Sequence, residues 1–430
     1  MKNIKSRLII MNFLQFAVWG SYLTSMGGYL FAAGYGELIG WFYAMQGIVS
    51  MFMPAVMGII ADKLIPAQRL LGLCHGIAAL FIAGAGFCGQ NDMLWPMFTL
   101  YSLSVAFYMP TLALSNSVAY TILEQGGYDT VKAFPPIRVF GTVGFIVAML
   151  VCDFAGFQSS PVQFFQCAII GVVLAVYAQM LPNCPVNRSS ENKSFAQRLG
   201  LDAFKLFKNK QMAMFFIFSM LLGVSLQITN GFANSFITSF KNIPEFANTF
   251  GANHANALIS LSQVSETLCI LLIPFCLKRF GIKRVMLIAM FAWVLRFGLF
   301  GLGNPGSGLW MFILSMIVYG VAFDFFNISG SLYVNENTSG EMRSSAQGLF
   351  MIMTNGIGAT VGTLGAQAVV NRLVPATESV DGVVTNGLSV VEGWSTTWLA
   401  FAGYALVVAL LFMVLFRYKH DANKQMDINH

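Results

Sequence analysis

Long apolar runs alternate with short polar breaks along the chain. This is the pattern of helices that each need about 20 residues to cross roughly 30 Å of hydrocarbon. Twelve such windows occur, at 6–34, 36–61, 70–90, 94–122, 137–157, 163–182, 211–241, 254–277, 282–303, 308–334, 344–371 and 394–417. The first follows Lys2, Lys5 and Arg7 as a secretory signal would, yet its run is too long for a signal h-region and shows no small-x-small cleavage site. It reads as an uncleaved first span. The expected fold class is therefore all-α, a polytopic membrane protein of about twelve transmembrane helices.

Charge decides the orientation. With the N-terminus in the cytoplasm, the inner segments hold Lys2, Lys5 and Arg7, then Lys63 and Arg69, Lys132 and Arg138, the group Arg188, Lys193, Arg198, Lys205, Lys208 and Lys210, then Lys278, Arg279, Lys283 and Arg284, Arg343, and finally Arg417, Lys419 and Lys424. These are 21 of the 24 basic residues, against Lys241 and Arg372 in outer loops and Arg296 within a span. The positive-inside rule then places both termini in the cytoplasm. Composition agrees with a lipid-covered chain, with 57% hydrophobic and only 10% charged residues, where soluble domains carry about 25% charged. The net charge of +6 sits on loops that face anionic lipid, so nucleic acid is excluded as a partner. Seven cysteines, mostly within spans and without metal-ligand spacing, read as free and inert thiols.

The one long polar cytoplasmic stretch, 183–210, has six windows on each side. The expected organisation is an N-terminal six-helix bundle (1–182), a cytoplasmic linker (183–210) and a C-terminal six-helix bundle (211–430), the alternating-access plan of the major facilitator superfamily. Between windows two and three, the run from Gly58 through Asp62 and Lys63 to Arg69 resembles that superfamily's G-x-x-x-D-[RK]-x5-R loop signature. Glycine would let helices approach closely, and Asp62 could cap a helix and pair with a base, so the loop is a candidate conformational latch. The matching loop of the second half, around Gly281, keeps the glycine and the bases but lacks the acid.

Ionisable groups at membrane depth cost at least about 2.5–3.5 kcal/mol each, so every one asks for a partner, a wet cavity or a function. Glu266, Asp324 and Arg296 are of this kind. A mid-membrane carboxyl can take and release a proton as its surroundings change, which makes Glu266 and Asp324 candidates for proton coupling; the plainer alternative is an Arg296–Asp324 ion pair joining two helices. Other polar and aromatic groups fall into helical register: Gln227 with Asn230, Gln263 with Glu266, Arg138 with Thr142 and Phe145, and Tyr319 with Phe323. Amides, a carboxylate, hydroxyls and ring faces suit a neutral, flat-faced solute bearing hydroxyls. With Arg138 near a span end and Arg296 as the other deep base, phosphorylated solutes are disfavoured.

At these residues the chain resembles the bacterial nucleoside:proton symporters, the nucleoside permeases of the major facilitator superfamily. The resemblance is carried by FLQFAVWGSYLTSMGGYLF at 13–31, FMPAVMGIIADK at 52–63, FPPIRVFGTVGFI at 134–146, LGLDAFKLFKNKQMAMFFIFSMLLGVSLQITN at 199–230, ISLSQVSETL at 259–268, MIVYGVAFDFFNISGSLYV at 316–334 and SSAQGLFMIMTNGIG at 344–358. It implies uptake of nucleosides driven by the proton gradient, from a mid-membrane site between the halves. Arg138, Thr142 and Phe145 resemble the family's span-five contacts, Gln227 and Asn230 those of span seven, Gln263 and Glu266 those of span eight, and Tyr319 and Phe323 those of span ten. Asp324 resembles a family acid needed for transport. The outer loop at 372–393 matches no family motif.

The function expected is proton-coupled nucleoside uptake, with uridine or adenosine as typical substrates, by a monomer in the bacterial inner membrane and without a cofactor or metal. The rivals are a porter for a sugar or nucleobase, and a nucleoside receptor that moves nothing. An enzyme is disfavoured, because no Ser-His-Asp set, HExxH or metal cluster appears. His75 and His254 are expected at helix ends, outside the site.

Overall fold

The computed structural model describes residues 3–186, 201–381 and 383–418, without the side chains of Asp62, Val131, Leu201, Asp202, Glu341 and Ser344. The linker stretch 187–200 with its Arg188, Lys193 and Arg198, together with Lys2, Lys419 and Lys424, lies outside the described residues. Apart from single-turn pieces and a 3-10 helix at Leu201–Lys208, the first half comprises α1 (Ile4–Gly20), α2 (Met26–Ala32), α3 (Ile39–Ser50), α4 (Met53–Lys63), α5 (Ala67–Gln90), α6 (Leu94–Gln125), α7 (Thr130–Phe154) and α8 (Val162–Gln179). The second comprises α9 (Lys210–Leu226), α10 (Ile228–Ser239), α11 (Ala255–Ile270), α12 (Ile273–Leu302), α13 (Leu309–Glu336), α14 (Gly340–Met351), a π-helical turn (Ile352–Gly358), α15 (Ala359–Leu373) and α16 (Gly387–Leu415).

Among the described residues nine helices are long and apolar enough to cross a membrane, and ten if the bent pair Gly36–Ser50 and Met53–Ala61 is one span. Windows one and eight fall short because turns interrupt them: α1 stops after 17 residues ahead of a turn at 21–25, and α11 after 16 ahead of a turn at 271–272. Gly281, with φ at +75°, breaks α12 between the windows expected at 254–277 and 282–303. The loop at 372–393 is more ordered than its sequence suggests. It holds a two-stranded hairpin of Ser379–Val380 against Val383–Val384, and α16 begins within it because Val390 and Val391 are buried.

The chain packs as two compact units, Met1–Tyr29 with Met45–Leu199, and Leu30–Ala44 with Gly200–His430. Within the first, α1 crosses α7 backbone against backbone. A Cβ on Gly144 would lie 2.9 Å from Phe13 Cα, and one on Gly20 would lie 2.8 Å from Phe145 Cα. Within the second, α9 makes the same kind of seam with the π turn, where a Cβ on Gly223 would lie 2.9 Å from Thr354 Cα. Small residues allow such approach, and in lipid, where hydrophobicity drives no helix association, close van der Waals contact supplies the adhesion. The second unit's core is aromatic: Phe236 contacts Phe300, Phe312, Trp394 and Trp398.

Leu30–Ala44, which joins the end of the first window to the start of the second, packs within the second unit on α15. Gln367 Oε1 accepts the Gly40 N–H at 2.6 Å, and Gln367 Nε2 donates to the Gly36 carbonyl at 2.9 Å. The Gly40 N–H is in the first turn of α3, where no intrahelical acceptor exists, so Gln367 caps that helix from a neighbour.

Candidate functional site

On α7 the stripe Arg138, Thr142 and Phe145 is half-buried at its first two members and buried at the third. The Arg138 guanidinium lies 3.8 Å from the centre of the Phe16 ring. Phe145 meets Trp19 edge to face at 6.2 Å, and Trp19 meets Tyr108 at 6.1 Å. Behind these rings runs a buried polar chain. His75 Nε2 lies 2.7 Å from Gln15 Oε1, Gln15 Nε2 donates to Thr111 Oγ1 at 2.8 Å, and Tyr108 Oη donates to the Gln15 carbonyl at 3.0 Å. Because the Gln15 oxygen accepts, His75 carries its proton on Nε2.

The expectation that His75 sits at a helix end is therefore corrected: it lies inside α5 with no exposed surface. Its partner Gln15 stands 60 positions away in sequence, which leaves no local signal. His254 does stand at a helix start, immediately before α11, with its ring 4.9 Å from that of Phe250.

In the second unit Gln227 occupies the joint between α9 and α10, and its side-chain oxygen accepts from Asn230 Nδ2 at 3.0 Å. Both are half-buried, as are Gln263 and Glu266 on α11. The opposite side of α11 seals against α13: Ser265 Oγ donates to the Ile317 carbonyl. Tyr319 and Phe323 on α13 stack with ring centres 5.5 Å apart and planes 20° from parallel. They are not equally available, since Tyr319 is 4% exposed while Phe323 is half-buried. Asp324 is buried, its Oδ2 has no hydrogen-bond partner, and Glu266 is the charged neighbour it feels.

An Arg296–Asp324 ion pair is not formed. Arg296 donates to the Ser315 carbonyl at 2.7 Å and to Ser262 Oγ at 3.4 Å, and no carboxylate among the described residues lies within ion-pair distance of it. Its guanidinium lies 4.5 Å from the centre of the Tyr319 ring and 5.3 Å from that of Phe300. The loop signature lies at the end of α4 and the start of α5. A Cβ on Gly58 would meet nothing within 4 Å, and Lys63 and Arg69 are exposed.

The arrangement offers paired amides, a stacked ring pair with one accessible member and two neighbouring carboxyls, of which one is buried without a hydrogen bond. Among the described residues no group of His, Cys, Asp and Glu side chains could hold a metal ion.

Comparison with known proteins agrees over nearly the whole chain. Residues 1–421 match the family model for nucleoside H+ symporters. The chain is 47% identical over 421 residues to the nucleoside permease NupG of Escherichia coli K12, covering 97% of each protein. It is also 47% identical over 425 residues to the xanthosine permease of the same organism, covering 98% of each. A crystal structure of a NupG point variant superposes with a TM-score of 0.90 at 46% identity, over 96% of this chain and all of that one. A peptide transporter structure at 12% identity and TM-score 0.68 shares the fold alone. By sequence and by fold, the chain belongs to the nucleoside H+ symporter family.

Proposed function

We propose that this multi-pass membrane protein takes up nucleosides together with protons by alternating access, in an inner membrane with both termini in the cytoplasm, and works as a monomer. Its relatives are permeases, and the roles assigned here are transport roles. The observation that carries the reading is Asp324, a buried carboxyl without a hydrogen-bond partner at Oδ2, one residue from the accessible Phe323 ring and neighbour to Glu266. A proton on either carboxyl cancels one charge beside the solute contacts, so proton and solute occupancy are linked at one place.

Gln227, Asn230, Gln263 and Glu266 supply donors and acceptors for ribose hydroxyls or base edges, and Phe323 supplies a face for the base; Arg138, Thr142 and Phe145 on α7 are assigned as substrate contacts as well. A neutral solute fits the shortage of accessible deep cations, since Arg296 is covered. A potential of 100 mV is worth about 2.3 kcal/mol per charge, enough for more than about tenfold accumulation with one proton per solute.

The test is uptake of labelled uridine and adenosine by cells lacking their own nucleoside carriers, at several external pH values, with and without a protonophore. Uptake should rise as external pH falls, because the proton binds from outside, and should collapse with the protonophore. Asp324→Asn should lose accumulation while reaching the membrane normally. No uptake of either nucleoside by well-expressed wild type would overturn the substrate and leave a sugar or nucleobase porter; accumulation by Asp324→Asn would remove Asp324 from coupling.

A further inference from the structure

Arg296 is a cation on α12 with 2% of its surface exposed, and its Nε has no hydrogen-bond partner. Removing a guanidinium from water is expensive, and an apolar side chain of similar volume commonly serves packing as well or better. What the charge touches is specific. It donates to the Ser315 carbonyl of α13 at 2.7 Å, and Ser315 Oγ donates back to the Arg296 carbonyl at 2.9 Å, so the two helices are tied at this level. Held by that tie, the guanidinium lies 4.5 Å from the Tyr319 ring centre, and Trp293 closes on the same ring edge to face at 6.0 Å. Tyr319 in turn stacks on Phe323, the member of the pair with accessible surface.

We propose that Arg296 is a positioning residue for nucleoside binding: it fixes Tyr319 as the backing layer of an Arg296–Tyr319–Phe323 stack whose accessible ring, Phe323, packs on the base. The inference rests on the nucleoside reading given above. It revises the role of Tyr319, whose ring is too covered to be the main packing face. The cation acts through two features that lysine does not share: a planar group that lies against a ring, and a fork that reaches a carbonyl at the same time.

The test measures KM and Vmax for the transported nucleoside, normalised to carrier at the membrane, in wild type, Arg296→Lys, Phe323→Ala and the double variant. Arg296→Lys should raise KM about three- to tenfold with Vmax held within about twofold. Phe323→Ala should raise KM as well, and the double variant should be little worse than Phe323→Ala alone, because Arg296 acts through that ring. A merely structural arginine would instead lower Vmax or carrier abundance. An unchanged KM in Arg296→Lys beside a raised KM in Phe323→Ala overturns the proposal and leaves the site reading intact, as does an additive double variant. An unchanged KM in Phe323→Ala overturns the site reading and the proposal with it. Should Arg296→Lys fail to reach the membrane, Tyr319→Phe and Tyr319→Leu decide: a KM kept by Phe and raised by Leu supports the backing layer, and equal effects overturn it.

Discussion

The seam between α1 and α7 is the feature most open to a quantitative test, because one methyl group probes it. In Gly144→Ala the new Cβ would stand 2.8 Å from the Phe13 carbonyl carbon and 2.9 Å from its Cα, where ordinary contact begins at 3.4 Å. The atoms in the way are backbone, the Phe13 carbonyl oxygen nearest of all, so no side-chain rotation relieves them and the two helices must part. Forcing a methyl into such a seam costs about 1–3 kcal/mol, a large share of a typical stability of about 5–15 kcal/mol. Phe145 is the next residue and its backbone rests on Gly20, so parting the helices carries the Phe145 ring with it. Thermal unfolding of the purified carrier should show a melting temperature lowered by several degrees, and uptake kinetics should show a raised KM. Gly403→Ala is the control: a Cβ there meets nothing within 4 Å, and alanine is the better helix former by about 1 kcal/mol, so its melting temperature should hold or rise. A Gly144→Ala carrier with wild-type melting temperature and KM would refute the packing argument.

Two further expectations follow from buried contacts and a third from an open position. Gln15→Leu leaves His75 Nε2 without a partner, while Thr111 Oγ1 keeps its bond to the Tyr108 carbonyl; at about 1–3 kcal/mol for an orphaned group the melting temperature should fall, and an unchanged one would mean that the buried chain holds nothing. Gln367→Ala frees the Gly40 N–H and the Gly36 carbonyl, so hydrogen exchange across 36–41 should quicken by about tenfold, and exchange at the wild-type rate would mean that the clamp holds nothing. Gly58→Ala should leave the melting temperature unchanged, since the position is open, yet lower Vmax at constant KM if the loop closes during the cycle; an unchanged Vmax removes Gly58 from any latch.

Much of this protein was legible without coordinates, because a bilayer imposes its requirements residue by residue. Each span must be long and apolar, and each polar group within it must be accounted for, so the windows, the all-α class and the suspicion that fell on Glu266, Asp324, Gln227 and Asn230 follow from local pattern. Where a span was interrupted, pattern failed: the turns at 21–25 and 271–272 lie inside stretches apolar enough to read as continuous. Helix ends in lipid are set by packing as much as by composition. The family was legible too, because runs of ten to thirty residues carry far more information than any single motif.

Only the tertiary structure decided who meets whom. Hydropathy weighs Arg296 and Asp324 as opposite charges in neighbouring spans and suggests a pair. The fold instead spends the arginine on the Ser315 carbonyl and the Tyr319 ring and leaves Asp324 Oδ2 without a hydrogen bond. His75 looked peripheral because its partner Gln15, and Thr111 to which Gln15 donates in turn, stand 60 and 36 positions away and converge only when α1, α5 and α6 pack. Tyr319 and Phe323 share a helix face, yet one is covered and the other accessible, a difference set by α12. Length, polarity and period are properties of a segment and are written in it; partnership and exposure are properties of several segments at once, and arise when those segments meet.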